Sequence, residues 1–158
     1  MKSDMEIKLE SMGLALPESN EPGSNYIPFK RCGTTVYFSG QICKWEGKLI
    51  YSGPVGCETT LEQAVKGAEI CALNLLYQVN EACNGNLDRI KSCLNILVYV
   101  NSDANFKKHA VIANGATDII IKCLGEKGRH TRAAMGCSTL PGGSTVEITG
   151  IFEIEGED

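Results

Sequence analysis

Between Thr59 and Cys83 apolar residues fall at positions 61, 64, 65, 68, 71, 72, 75, 76 and 79, the period of an α-helix. Thr60 with Gln63, or Thr59 with Glu62, offers a capping box, and Asn84-Gly85 supplies the stop. Glu62, Lys66 and Glu69 form a polar face, so this helix must pack on something flat from one side. Residues 90–100 then alternate, which predicts a strand with Leu94, Ile96, Val98 and Val100 on one face. A second helix is predicted over residues 105–124, with Phe106, Ala110, Ala113, Ile120 and Leu124 in one broad stripe and Gly125 ending it.

The flanking segments read as shorter elements. Ser3 and Glu6 form a possible capping box for a helix over residues 4–12, stopped at Gly13 and followed by a loop rich in Pro, Gly, Ser and Asn. Aromatic and β-branched residues on both sides of Cys32-Gly33 predict a β-hairpin, and a turn at WEGK leads into a third short strand of the same sheet, KLIYS. After the second long helix come strands at 131–137 and 145–154, with Pro141-Gly142-Gly143 turning between them; Val146, Ile148, Phe152 and Ile154 share a face. This order predicts an α+β fold, a mixed sheet with two long helices packed on one side by right-handed crossovers. The other sheet face is left bare, and its apolar content calls for burial. Self-association is the simplest remedy; a closed ring of three sheets achieves it, but the pattern does not set the number of copies.

Composition narrows the function. The 158 residues predict a single domain, 1–158, with residues 1–24 as an N-terminal helix and loop extension. A hydrophobic content of 43% and a charged content of 22% are those of a globular protein. The net charge of −4 and the scatter of Lys44, Lys48, Lys66 and Lys91 among acids argue against nucleic acid as a partner. No apolar run is long enough for a membrane helix, and the charged start MKSDMEIKLE has no signal-like segment, so a cytoplasmic location is expected. The eight cysteines lie at least ten residues apart, without a C-x-x-C or C-x-x-H pair. They are expected to be free thiols acting as small hydrophobes, with neither metal nor cofactor. His109 and His130 have no partner at metal-ligand spacing, and no nucleophile-elbow motif is present.

The candidate chemistry centres on Arg132, which stands before two alanines at a strand start. A guanidinium beside small side chains offers a rigid fork of donors to a carboxylate; the alternative is an exposed arginine paired to an acid. Glu147 and Thr149 share the face opposite Val146 and Ile148, and they can approach Arg132 if their strands are neighbours. Gly40, after Ser39 at a strand end, allows close backbone approach by a ligand. Asn114-Gly115 inside a helix breaks local propensity, for which close helix packing is the expected cause.

Five stretches, taken together and in order, resemble the RidA/YjgF family, also labelled endoribonuclease L-PSP. They are NYIPFKRCGTTVYFSGQI, TLEQAVKGAEICALNLL, LDRIKSCLNILVYVNS, NFKKHAVIANGA and RHTRAAMGCSTLPGGSTVEI, within residues 12–154. The long N-terminal region with GLALP looks like a branch apart from the shorter imine deaminases. The resemblance implies a chorismate-mutase-like fold assembled as a homotrimer, with small carboxylate ligands in clefts between subunits. In the deaminase branch an arginine binds the carboxylate of a 2-aminoacrylate-type enamine or imine, which water hydrolyses to a 2-keto acid and ammonia. Arg132 matches that arginine, and Tyr26, Ser39, Gly40 and Asn114 fall at matching substrate-binding positions.

One departure changes the catalytic expectation. The deaminases carry a glutamate in the final strand that positions or activates water, and the residue matched to it here is Thr149, whose hydroxyl is a poor general base near neutral pH. Glu147 lies two residues away on the same face and substitutes only if the site is shifted. Ala134 stands where the family often has a cysteine, and Cys137, on the opposite strand parity, does not replace it. A carboxylate binder without turnover is therefore a second expectation. Ribonuclease activity, suggested by the family label, is disfavoured by the acidic balance and the lack of a histidine pair.

Overall fold

The computed structural model describes residues 2–156. Its sheet has the order β1 (Phe29–Cys32), β2 (Thr35–Phe38), β8 (Val146–Ile154), β6 (Ile90–Asn101), β7 (Thr131–Cys137), and a two-residue strand, β3 (Gln41–Ile42), also pairs with β8. Only the β6–β7 pairing is parallel; the rest are antiparallel. Parallel neighbours need a long crossover, and α3 (His109–Leu124) provides it. The other long helix, α2 (Leu61–Ala82), joins the N-terminal strands to β6.

Both long helices cover one sheet face. Val36, Phe38, Ile96, Val98, Ile148, Phe152 and Ile154 are buried there against Ala68, Cys71, Leu75, Leu76, Ile112, Ala116 and Ile120. Phe38 and Phe152 meet edge to face at 5.6 Å. Gly115 sits where the helices meet: a Cβ built on it falls 2.5 Å from the Val65 carbonyl oxygen and 3.3 Å from the Ala68 Cβ. Close packing thus accounts for the glycine inside α3. On the opposite face Tyr37 is 52% exposed and Met135 39%, with Leu97, Tyr99 and Ile151 half-buried, so the bare face expected from the alternation is present.

The N-terminal helix, α1 (Asp4–Ser11), has the expected Ser3–Glu6 capping box. Asp88, just before β6, also accepts from the backbone N–H groups of Asp4 and Met5, anchoring the start of α1 to the body of the fold. Helix α2 uses Thr60 and Gln63 for its capping box. Thr59, the alternative, is buried and donates to the Ser52 carbonyl instead. Asn84 and Gly85 end α2 with φ of 56° and 78°.

Three local expectations change. Helix α3 begins at His109, not at 105, because Asp103 accepts from the Asn105 N–H in a local turn and Lys108 supplies no side-chain cap. Phe106 therefore precedes the helix, stacked edge-on to His109, and Ala110 is exposed. Leu94 points to solvent, because irregularities at Ile90/Ser92 and Cys93/Asn95 shift the register and put Cys93 in the core. Finally, KLIYS does not join the main sheet. Lys48–Leu49 (β5) pairs only with Lys44–Trp45 (β4), in a separate two-stranded ribbon.

Of the eight free cysteines, Cys43, Cys71, Cys83, Cys93 and Cys123 are buried. Burial pushes the thiols of Cys83 and Cys123 up to about 11 and that of Cys93 to about 12, which keeps them protonated and unreactive. No helix among the described residues is long and apolar enough to cross a membrane.

Candidate functional site

Arg132 lies on edge strand β7, in register with buried Ile96 of β6, so its side chain leaves the sheet on the helix-covered face. There it meets the outer stripe of α3, where Asn114, Thr117 and Ile121 recur at helical spacing. One terminal nitrogen, Nη1, donates to Asn114 Oδ1 at 2.9 Å and to Thr117 Oγ1 at 3.0 Å. Both partners are neutral, and no acid pairs with Arg132 among the described residues. The guanidinium is thus fixed by one corner, with its charge uncompensated and its Nε–Nη2 edge available to a planar anion. A cavity of ≈ 240 Å³ opens beside it, lined by Thr117, Ile121, Arg129, His130 and Arg132.

A larger cavity, of ≈ 620 Å³, lies elsewhere, and Tyr26, Ser39, Gly40 and Glu147 all line it. Its outer wall is the loop before β1, held by side-chain amides of which Gln41 and Gln78 are buried. Asn20 donates to Gln41 Oε1 at 2.6 Å, and its carbonyl accepts from Gln78 Nε2 at 2.5 Å. Ser39 Oγ donates to the Ile27 carbonyl at 2.7 Å, and the Ser39 N–H to that of Pro28 at 2.9 Å, which fixes the chain around Tyr26. Glu147 reaches across Gly40 so closely that a Cβ there would fall 2.1 Å from Glu147 Oε1. Gly40 is therefore required for the place of this carboxylate. Burial raises the Glu147 pKa, and no cation is paired with it among the described residues.

Thr149 shares the face of Glu147, as the alternation predicts, but its hydroxyl donates to the Phe38 carbonyl at 2.5 Å and Thr149 does not line the cavity. Of the two candidates on β8, the structure brings Glu147 together with Tyr26, Ser39 and Gly40. It does not bring either of them to Arg132. Strand β6 lies between β7 and β8, and Glu147 is in register with Tyr99 while Arg132 is in register with Ile96. The two groups are three residues apart along the sheet and two strands apart across it, roughly 10 Å in each direction, and they leave it on opposite faces. The neighbouring-strand arrangement considered from the sequence is therefore corrected. Within one chain the cation stands on one face of the sheet and the carboxylate on the other.

The sequence pattern does not mark Thr117, His130 or the amides of Asn20, Gln41 and Gln78 as site residues. The helical spacing of 114, 117 and 121 was the one available signal, and it pointed to Thr117 beside Asn114. The amides gave none, because their partners lie 21 and 58 residues away.

A family model described as "YjgF/chorismate mutase-like, putative endoribonuclease" matches residues 6–153. The protein TCP17 of Trypanosoma cruzi is 35% identical over 147 residues, which are 92% of this chain and 91% of that one. The crystal structure of Atu1372, a protein of unknown function from Agrobacterium tumefaciens, superposes with a TM-score of 0.90 at 38% identity, over 96% of this chain and 92% of that one. A "putative endoribonuclease" from Shewanella oneidensis MR-1 gives 0.91 at 30% identity, over 95% and 99%. The match takes in nearly all of the N-terminal segment, so the extension expected there is a minor departure. Fold, order of elements and sequence agree: the chain belongs to the RidA/YjgF family, with its chorismate-mutase-like α+β fold.

Proposed function

We propose that this protein is a hydrolase of small carboxylate-bearing imines and enamines, working at a site that two copies of the chain complete. The observation that carries the reading is Arg132: a guanidinium pinned by two neutral acceptors, without an acid partner and with one edge open. Such a group is preorganised for the carboxylate of a 2-aminoacrylate-type substrate. In the other half-site, Glu147 has a raised pKa and Tyr26, Ser39 and Gly40 around it. A carboxylate of that kind can take a proton from water and return it later. Water adds to the imine carbon while its proton passes to the carboxylate. That proton returns to nitrogen to give a carbinolamine; the carboxylate then carries the carbinolamine's hydroxyl proton to the nitrogen as the C–N bond breaks and the carbonyl forms, and a 2-keto acid and ammonia leave.

Family members are typically oligomeric, and a trimer that closes the bare sheet faces against one another would bring the Arg132 half of one copy to the Glu147 half of the next. Keeping the two charges on opposite faces of one chain supports this reading, since neither can neutralise the other until copies meet. The test is to generate 2-iminopropionate enzymatically and follow its loss with the purified protein. Wild type should accelerate it and Arg132→Ala should not; no acceleration by either sinks the proposal.

A second reading, a binder of small carboxylic acids without turnover, draws on Thr149, whose hydroxyl is tied to the Phe38 carbonyl. It predicts that a keto acid raises the melting temperature, that Arg132→Ala abolishes the rise, and that hydrolysis stays absent.

A further inference from the structure

Arg132 is the end of a chain of hydrogen bonds whose other members have no part in the chemistry proposed above. Arg132 Nη1 donates to Thr117 Oγ1 at 3.0 Å. Thr117 Oγ1 lies 3.1 Å from His130 Nε2, and His130 Nδ1 lies 2.6 Å from the Gly128 carbonyl oxygen. A carbonyl oxygen only accepts, so the imidazole proton facing Gly128 belongs on Nδ1. In the neutral ring, Nε2 then has a lone pair and must accept from the Thr117 hydroxyl. That hydroxyl, with its hydrogen directed at His130, presents a lone pair to Arg132. Each group is left with one role, and the whole chain runs in one direction from guanidinium to backbone.

We infer that Thr117 and His130 are positioning residues for Arg132, which fix the rotation of its guanidinium and so aim the open Nε–Nη2 edge at the ligand carboxylate. This rests on the reading of Arg132 as a carboxylate anchor. Several features support a dedicated arrangement. A threonine within a helix commonly turns its hydroxyl back to the carbonyl four residues before it, whereas Thr117 turns outward to Arg132 and His130. Its β-branched side chain is stiff, so the oxygen is held in place. With Asn114 on the same nitrogen, both Nη1 hydrogens are engaged, and turning the guanidinium about its Cζ–Nε bond breaks two bonds at once. Half-burial, with the nearby Arg132 charge, lowers the His130 pKa, which favours the neutral ring that this direction of donation needs. Arg129, the other cation lining the cavity, is tied to Glu126 at 3.1 Å and leaves Thr117 to Arg132.

The test uses the full-length protein and pyruvate as the probe. In ligand-free protein, long-range proton–nitrogen NMR should show His130 with its proton on Nδ1, and the Arg132 guanidinium should rotate slowly about Cζ–Nε. Thr117→Val keeps the shape but removes the hydroxyl; it should speed that rotation and weaken pyruvate binding about tenfold, the loss of one hydrogen bond to a charged group. Thr117→Ser should restore both, which a merely structural role would not require. His130→Phe should give faster rotation and a smaller loss of binding than Thr117→Val. A His130 proton on Nε2, or an Arg132 rotation unchanged in Thr117→Val, overturns the inference. Pyruvate binding lost in Arg132→Ala yet intact in Thr117→Val overturns it while sparing the anchor reading. A wild type that binds no pyruvate overturns the anchor reading instead, and the ligand-free spectra still decide whether Thr117 and His130 hold the guanidinium.

Discussion

The two halves of the proposed site differ in how the fold holds them. Arg132 sits at a seam between an edge strand and a long helix, and its partners Asn114 and Thr117 lie one helical turn apart on α3. Regular secondary structure brings these groups together, and their hydrogen bonds then hold the guanidinium. Glu147 also projects from a strand, but it faces a wall built from an irregular loop, which side chains such as Asn20, Gln41, Gln78 and Ser39 help to keep in place. The cation is held by side chains at regular helical spacing, the carboxylate's surroundings by side-chain hydrogen bonds that pin an irregular loop. Their separation also has a physical meaning: had the two shared a face at bonding distance, each would satisfy the other, and no ligand would find an uncompensated charge.

The sharpest way to break this contrast is Glu147→Gln. If the carboxylate moves the proton, kcat/KM falls by about 10²–10⁴-fold while pyruvate binding to Arg132 is kept. The acid limb of the wild-type pH–rate profile should lie above the usual carboxylate range and vanish in the variant, because burial raises the Glu147 pKa. Co-assembly then asks whether the halves belong to different copies. Arg132→Ala and Glu147→Gln chains, unfolded and refolded together, should regain turnover that neither regains alone; an inactive mixture means the halves do not meet between copies.

Gly40→Ala acts on one half only. Its methyl would displace the Glu147 carboxylate rather than backbone, so kcat/KM should drop by up to about a hundredfold with a nearly unchanged melting temperature. Gly115→Ala acts on the frame of the other half, since its methyl meets the Val65 carbonyl oxygen and α2 and α3 must part. Chemical denaturation should show a loss of about 1–3 kcal/mol. The smallest effect concerns stability and pH. The folded state binds the Glu147 proton more tightly than the unfolded chain does, so this residue's contribution to stability declines as pH rises through the raised pKa. Glu147→Gln should therefore melt higher than wild type at neutral pH, with the difference disappearing below about pH 4.5.

Local signals carried most of the architecture. The helical period fixed α2, and Ser3–Glu6 and Thr60–Gln63 cap their helices as the residue types require. The start of α3 lies later than the pattern predicts because an apolar Phe106 fits the stripe, while a turn at Asp103 and an uncapped Lys108 delay the helix. Leu94 departs from its predicted face for a related reason: alternation assumes unbroken register, and irregular pairing at Cys93/Asn95 breaks it. For the site, strand parity alone placed Glu147 and Thr149 on one face, but it could not choose between them. That choice comes from the Phe38 carbonyl, which takes the Thr149 hydroxyl, and from Gly40, which makes room for Glu147.

The sequence by itself determined the existence and type of the long helices and main strands, the bare sheet face and the residue types that can do chemistry, because period, capping and parity act within a few residues of the chain. Tertiary structure decided which of those residues meet. Strand order is set by pairings and crossovers across tens of residues, and it inserted β6 between Arg132 and Glu147. A separation of that kind leaves no mark on local pattern, and it is why Arg132 faces Thr117 and His130 rather than an acid of its own chain.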